Sequence, residues 1–178
     1  YRESLGSSVI ENWVPSRHYL NQRAVQPGGE SRCNVASVVM TLAMNGVIAS
    51  DQMGAKALEL YNSVTSPNDK NPNCRAGNAN LMQQALIWEG QRVNRPLDAQ
   101  LIPMPGSRDV FWSLIRAEID SGHPVIIGTF VTSVGHVMVI VGYRQAGLKR
   151  ELIAYDPYGR WKGTINSWDA NAENDPAS

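Results

Sequence analysis

Residues 33–46, Cys33-Asn-Val-Ala-Ser-Val-Val-Met-Thr-Leu-Ala-Met-Asn-Gly46, are predicted to form a helix. The stretch lacks proline and is apolar on most of its faces, which is typical of a helix buried in the middle of a domain. Asn45 and Gly46 form a good C-terminal signal. The preceding residues 26–31, Gln-Pro-Gly-Gly-Glu-Ser, have the composition of a loop. We therefore expect a central helix that begins at Cys33, directly after a glycine-rich loop.

Three further helices are predicted before the chain changes character at Gly122. The second covers residues 52–61 and is followed by a polar loop, residues 62–77. The third covers residues 78–90 and is closed by its last residue, a glycine, and the fourth covers residues 109–120. Each shows apolar residues at helical spacing or a helix-ending signal.

After Gly122 the sequence predicts strands, at residues 124–130, 136–143 and 151–156. The short polar stretch 144–150 contains Gly147 and indicates a hairpin between the last two strands. Helices followed by an antiparallel sheet define an α+β fold. Residues 1–19 mix polar and isolated apolar side chains and are predicted to be an N-terminal arm or loop, which leaves one domain over residues 20–178.

The hairpin places an imidazole near a carboxylate. If the two strands pair around Gly147, facing residues have numbers that sum to about 293 or 294. His136 then lies across from Pro157 or Tyr158, and Asp156 is within about one row, which is side-chain reach. A carboxylate there would orient the imidazole of His136 and select its tautomer.

Cys33 is the candidate nucleophile because of its place at the start of the buried helix. Unpaired backbone N–H groups and the positive end of the helix dipole favour a thiolate there. The N–H of Cys33 itself would be free to donate to a developing oxyanion. Gln22, eleven residues earlier, is a candidate for the second oxyanion donor, and Gln26 is its rival.

The composition excludes several other functions. The chain has 178 residues, 43% of them hydrophobic, and its sixteen basic and sixteen acidic residues cancel. No basic excess therefore favours nucleic acid as a partner. The longest apolar region, residues 124–143, is interrupted by polar residues and predicts no membrane span. Two cysteines and three histidines are too few for a disulfide framework or a histidine-rich metal site, so we expect no metal and no cofactor.

The chain contains three separated motifs: Tyr19-Leu-Asn-Gln22 with Cys33-Asn-Val-Ala-Ser-Val-Val-Met, then Gly135-His136-Val-Met-Val-Ile-Val-Gly-Tyr143, and then Ala154-Tyr-Asp156-Pro157-Tyr-Gly159. In this order they resemble the papain-like cysteine peptidases typified by bacteriocin-leader-processing, double-glycine peptidases. The resemblance spans roughly residues 19–168. It implies a papain-like fold, in which the nucleophile helix packs on the C-terminal sheet. It also implies a catalytic Cys-His-Asp site with a glutamine donor, carried over to Cys33, His136, Asp156 and Gln22.

The sequence departs from the family pattern around the nucleophile, where glycines are common and this chain has Arg32 and Asn34. These departures leave the backbone conformation at the start of the helix open, and they motivate the alternative of a binding module that keeps the fold but not the chemistry. No transporter or ATPase segment accompanies the domain, which speaks against leader processing coupled to export. The chain starts with Tyr1, so we expect an excised domain or a processed product of a larger protein. It ends in a polar tail, residues 170–178, and we expect its C-terminus to be incomplete.

The function expected from these residues is hydrolysis of an amide bond through a thioester. The substrate would be a protein, a leader peptide or a bacterial cell-wall peptide. A secreted or phage-borne, cell-wall-directed protein such as an endolysin would fit. A catalytically silent peptide-binding module of the same fold is the alternative. A third hypothesis pairs Cys33 with Cys74 in a structural disulfide. His18 is expected at the surface and His123 in a loop, and Cys74 is expected to be an exposed bystander.

Overall fold

The computed structural model of the chain describes residues 9–26, 32–62, 79–129, 135–162 and 167–169. Within them, the elements are β1 (Val9–Trp13), a first 3₁₀ helix (Gln22–Ala24), α1 (Cys33–Met44), a second 3₁₀ helix (Ser50–Gln52), α2 (Met53–Asn62), α3 (Ala79–Arg92), α4 (Arg108–Asp120), β2 (Val125–Thr129), β3 (His136–Ala146), β4 (Lys149–Tyr155), β5 (Arg160–Lys162) and β6 (Ser167–Asp169). Four helices with an antiparallel four-stranded sheet confirm the α+β prediction. Apart from Asn62, the predicted polar loop of residues 62–77, which includes Cys74, lies outside the described residues.

Helix α1 is buried on all sides, as its sequence predicts. Every residue from Asn34 to Met44 is buried. Val35, Val38 and Leu42 belong to an apolar cluster with α2 and α3, whereas Met40 and Met44 belong to a second cluster with α4 and the sheet. Helix α1 is therefore the element that the two clusters share. Burial of each of its large aliphatic side chains stabilises the fold by about 2 kcal/mol. None of the helices in the described part is long and apolar enough to cross a membrane.

Strand β3 organises the sheet. One of its edges pairs with β4, with Val139 opposite Tyr155. The other edge pairs with two strands placed end to end: β2 lies beside residues 136–140, and β1 lies beside residues 142–146. The part of β3 from Val139 onwards is therefore paired on both edges, whereas His136, its first residue, lies opposite Thr129 of β2, ahead of the pairing with β4.

The hairpin between β3 and β4 is tighter than predicted. The strands extend to Ala146 and from Lys149, so the turn contains only Gly147 and Leu148. Gly147 has a φ of +58°, which suits the first position of a two-residue hairpin turn. The residue numbers of facing pairs sum to 294 at Val139 and Ile140. A bulge then shifts the register, so that the numbers sum to 295 from Gly142 onwards. The predicted register thus holds at the end of the sheet that contains His136.

Strand β1 corrects the prediction that residues 9–13 belong to an arm or loop. Val9 and Ile10 are 60% and 47% exposed, so this edge strand lacks the alternation of apolar and polar residues that marks a half-buried strand. Pairing with β3 and side-chain contacts hold it in place: Arg144 Nε donates to Glu11 at 2.6 Å, and Asn12 donates to Asp120 at 2.8 Å. The boundary between arm and domain at residue 19 stays a prediction.

Helix α3 corrects the prediction that Gly90 closes it, because the helix continues to Arg92. A Cβ atom at position 90 would lie 2.5 Å from the carbonyl oxygen of Arg95 and 3.0 Å from the backbone nitrogen of Leu97. Glycine is required there because the chain after the helix folds back against it. The residue therefore serves close packing and does not end the helix.

A buried ion pair joins α2 to α3 and carries a stability prediction. Glu89 is fully buried, and its Oε2 atom accepts from Lys56 at 3.1 Å and from Arg92 at 2.9 Å. Replacing Glu89 with alanine leaves the buried Lys56 ammonium without this partner, and we expect the free energy of unfolding to fall by about 3 kcal/mol in urea titrations. Glu59→Ala removes the exposed partner of the same lysine and should cost under about 1 kcal/mol. Equal losses in both variants would contradict this interpretation.

Candidate active site

Cys33 is the first residue of α1, and its half-buried side chain is a free thiol. The sulfur hydrogen-bonds the side chain of His136 and the backbone of Val137 and Asn34. The hypothesis of a structural disulfide with Cys74 is therefore contradicted. Because the first N–H groups of a helix have no intrahelical acceptor, the N–H of Cys33 is available to a substrate oxygen.

His136 lies between the thiol and a carboxylate. It begins β3, is 6% exposed, and its Nε2 atom lies 2.6 Å from Oδ1 of Asp156. Since Asp156 occupies Nε2, Nδ1 is the ring nitrogen left for the Cys33 sulfur. The structure thus brings together the three side chains that the sequence places at a helix start and at one sheet end.

Asp156 directly follows β4 and is held by several hydrogen bonds. Its Oδ1 atom also accepts from the backbone N–H of Tyr158 at 2.9 Å. Its carbonyl oxygen accepts from the hydroxyl of Tyr19 at 3.0 Å and from the N–H of Gly159 at 3.1 Å. Asp before Pro is also common in plain turns. Here the turn aims a buried carboxylate at the imidazole, so it positions His136 as well as turning the chain.

The electrostatics favour a thiolate beside an imidazolium. Burial by itself raises the pKa of the Cys33 thiol, but hydrogen bonds with His136, Val137 and Asn34 and the charge of His136 outweigh it and hold this pKa below its ordinary value. Burial likewise lowers the pKa of His136, yet hydrogen bonds to Asp156 and Cys33, and the charges of both, raise it to about 9. A pKa of about 9 favours a protonated His136 near neutral pH, and the lowered pKa of Cys33 gives it a larger thiolate fraction than an ordinary thiol has.

Gln22 lies beside these residues on the first 3₁₀ helix. It is 1% exposed, and its backbone N–H donates to the carbonyl of Pro157 at 2.8 Å, next to Asp156. Gln26, its rival, is exposed and donates its side-chain amide to the carbonyl of Arg23 at 2.7 Å. Of the two glutamines, Gln22 is the one held against the turn that contains the carboxylate.

Neither Arg32 nor Asn34 adopts the positive φ that favours glycine, so the backbone at the start of α1 is undistorted. Arg32 has a φ of −111°, and among the described non-glycine residues only Asn94 has a positive φ. No glycine is therefore needed at position 32. The Arg32 side chain is completely buried, with its guanidinium 3.6 Å from the centre of the Tyr61 ring. This stacking between the N-terminus of α1 and α2 was not predicted, because nothing local in the sequence pairs the two residues.

The remaining histidines lie elsewhere. His123 is an exposed residue between α4 and β2, as predicted, and its ring lies 3.1 Å from the carboxylate of Glu118. His18 is partly exposed and lies 3.0 Å from the hydroxyl of Ser16. Within the described ranges, no three side chains of the His, Cys, Asp or Glu types gather as a metal site would require.

Comparisons with known proteins agree with this geometry. A family model described as "Peptidase_C39 like family" matches residues 16–175, which is nearly the whole chain. No curated protein and no solved structure gives a match.

Proposed function

The chain belongs to the Peptidase_C39-like family, a papain-like cysteine peptidase family, and from this membership we propose that it hydrolyses an amide bond with Cys33 as nucleophile and His136 as acid and base. One observation carries the proposal: the hydrogen-bonded series from Cys33 through His136 to Asp156 at the start of a buried helix. A peptide is the substrate class that the family implies.

The reaction follows from the positions of these groups. The Cys33 thiolate attacks the carbonyl carbon, and the carbonyl π electrons move to oxygen. His136 then gives its proton to the leaving amine as the C–N bond breaks, which leaves a thioester on Cys33. A water molecule, deprotonated by His136, attacks the thioester and releases the acid and the thiolate. Asp156 keeps the imidazole oriented in both halves of the reaction.

Gln22 is proposed as the side-chain donor to the oxyanion, together with the N–H of Cys33. Its burial, and its backbone hydrogen bond to Pro157, support this role. Replacing Gln22 with alanine is expected to lower kcat by about 10²–10³-fold with a small change in KM, because the interaction strengthens only in the transition state. Gln26→Ala is the matched control and should retain activity. Equal rates in the two variants would remove Gln22 from the proposed site.

The pH dependence of hydrolysis follows from the same pair. Activity needs Cys33 deprotonated and His136 protonated. The acidic limb should therefore lie below the ordinary thiol titration, because the pKa of Cys33 is lowered, and the rate should fall as pH rises through about 9, where His136 loses its proton. A pH series of kcat/KM checks both limbs. A rate that rises without a limit through the alkaline range would contradict the proposed acid role of His136.

Selective alkylation distinguishes an active site from a catalytically silent binding module. In the native protein treated with iodoacetamide near neutral pH, Cys33 should react about 10-fold faster than Cys74, because its thiolate fraction is much larger while its intrinsic nucleophilicity is only moderately lower. Mass spectrometry of the two peptides measures the ratio. In urea the ratio should fall to about one. Equal native rates would favour the binding module.

Which kind of peptide the protein cleaves is also a proposal. We propose three candidates, which are a protein, a leader peptide and the peptide stems of bacterial cell wall, the last in a secreted or phage-borne lytic protein. Labelled casein, a synthetic leader ending in two glycines, and purified peptidoglycan test them side by side. A covalent adduct on Cys33 after exposure to a peptide chloromethyl ketone would establish peptide binding independently of turnover.

A further inference from the structure

Two side-chain hydroxyl groups hold the backbone at the start of β3, where His136 is located. Ser37 of α1 donates to the carbonyl of Val137 at 3.4 Å, and Thr129 of β2 donates to the carbonyl of His136 at 3.3 Å. We propose that Ser37 and Thr129 are positioning residues, whose hydroxyl groups hold this end of β3 between α1 and β2 and so set the distance from thiol to imidazole. The inference rests on the proposed function, since it assigns further roles within the same site.

Helix α1 bonds both backbone polar groups of Val137. The N–H of this residue donates to the Cys33 sulfur, and its carbonyl accepts from Ser37. A buried backbone group needs a hydrogen-bond partner, and pairing of β3 with β4 begins only two residues later, at Val139. The helix therefore holds the part of β3 that lies ahead of the pairing with β4.

The geometry of α1 places the thiol and the Ser37 hydroxyl together. Ser37 lies four residues after Cys33, so the two side chains are on the same face of the helix. It is fully buried. One helix face thus bonds the N–H and the carbonyl of a single residue. Because a slide of α1 along β3 would lengthen one of these two bonds, the pair fixes the thiol relative to His136.

Thr129 acts on the same peptide unit from the opposite side. It is the last residue of β2 and lies opposite His136 in the sheet. The His136 carbonyl that accepts from its hydroxyl belongs to the peptide unit whose N–H, that of Val137, donates to the sulfur. In a planar trans peptide these two groups point in opposite directions. Thr129 therefore orients from β2 the peptide that Cys33 bonds from α1.

The hydroxyl groups carry no charge, so they act through the position of the backbone. Among the described residues, the titratable groups that face the imidazole are Cys33 of α1 and, after β4, Asp156 and Tyr158. Removal of the Ser37 hydroxyl leaves the Val137 carbonyl without its donor from α1, and the end of β3 is then free to move away from the helix. The bonds from the Val137 N–H and from His136 to the sulfur would lengthen, and less of the thiol would be ionised at a given pH.

The test measures thiol chemistry, which needs no peptide substrate. In a Cys74→Ser background, iodoacetamide labels Cys33 across a pH series. Both hydroxyl bonds are long, since about 2.8 Å is usual between oxygens, so we expect a moderate effect. Ser37→Ala should move the inflection upward by about 0.3–0.7 pH unit, which slows alkylation at mildly acidic pH by about 2–5-fold.

The amide proton of Val137 gives a second readout by NMR. Because this N–H donates to the sulfur, its chemical shift should titrate together with Cys33 in the parental protein. In Ser37→Ala the amplitude of that titration should fall, since the bond is longer. A hydroxyl that served only the stability of α1 would leave this amplitude unchanged.

Thr41→Val is the matched control. Thr41 lies one turn after Ser37 on α1 and is also buried, and its hydroxyl has no hydrogen-bond partner among the described residues. The variant removes a buried hydroxyl from the same helix and should keep the parental profile. Thr129→Val supplies the second arm, because Thr129 is only half-buried and valine has nearly the same shape. It should shift the inflection upward by a smaller amount than Ser37→Ala.

The outcomes separate this proposal from the proposed function. A parental profile in folded Ser37→Ala, or an equal shift in Thr41→Val, would overturn the proposal. Should Ser37→Ala fail to fold, Thr129→Val decides in its place, and a parental profile there would overturn the proposal. If unsubstituted Cys33 itself shows an ordinary thiol profile, the proposed function fails instead.

Discussion

Replacing Cys33 with alanine is expected to lower kcat/KM for peptide hydrolysis by about 10⁴-fold or more, to the background rate, because no covalent intermediate can form. The sulfur is the only nucleophile that the described residues place against His136. The measurement is the release of labelled peptides from whichever of the three candidate substrates the unsubstituted protein cleaves. Peptide binding should persist, because the alanine removes only the sulfur and leaves the N–H of the helix start in place.

Cys74→Ala is the matched control, since it removes the other cysteine of the chain and should leave the rate unchanged. Thermal unfolding of both variants excludes loss of the fold as the cause. If Cys33→Ala still turns over substrate at a comparable rate, the thiol is not the nucleophile, and the silent-module alternative or a different site must be considered.

The second large effect is expected from His136→Ala. Hydrolysis should fall by about 10³–10⁴-fold, because both the leaving amine and the attacking water lose their proton partner. The pKa of Cys33 should also rise, since the charge and one of the three hydrogen bonds that lower it come from this imidazole. Iodoacetamide labelling of Cys33 across a pH series measures that rise separately from turnover.

His123→Ala is the control for this variant, because His123 is exposed and contacts Glu118 away from the thiol. It should keep both the hydrolysis rate and the alkylation profile. A His136→Ala variant in which the Cys33 profile is also unchanged would show that the imidazole does not govern the thiol, and the proposed pairing would be wrong.

The departure of this chain from the family pattern around the nucleophile has a structural explanation. Arg32 adopts a negative φ, so the helix starts without a glycine, and its buried guanidinium stacks on Tyr61 of α2. An arginine at this position therefore packs the start of α1 against its neighbour. The contact does not interfere with the thiol, which bonds His136 on the sheet side.

Much of the scaffold follows from the sequence because its signals are local. Helix α1 is apolar all round and ends at Asn-Gly, which predicts both its burial and its length. The register of the hairpin follows from a short turn at Gly147 and from the alternation of side chains between the two faces of each strand. This register places His136 near Asp156. A helix start and a tight hairpin each constrain a few neighbouring residues, so these positions could be predicted without knowledge of the rest of the chain.

Tertiary structure alone determined the contacts between distant segments. Strand β1 shows no alternation of apolar and polar residues, and it forms because its backbone pairs with the edge of β3. Gln22 hydrogen-bonds the turn that contains Asp156, and Arg23 stacks on Tyr158. Lys56 forms an ion pair with Glu89. No periodic pattern in the sequence indicates these pairs, because their members are far apart along the chain. Such pairs form only when packing of the buried helix against the sheet brings their backbones together. The sequence therefore specified which groups could react, and long-range packing decided what surrounds and orients them.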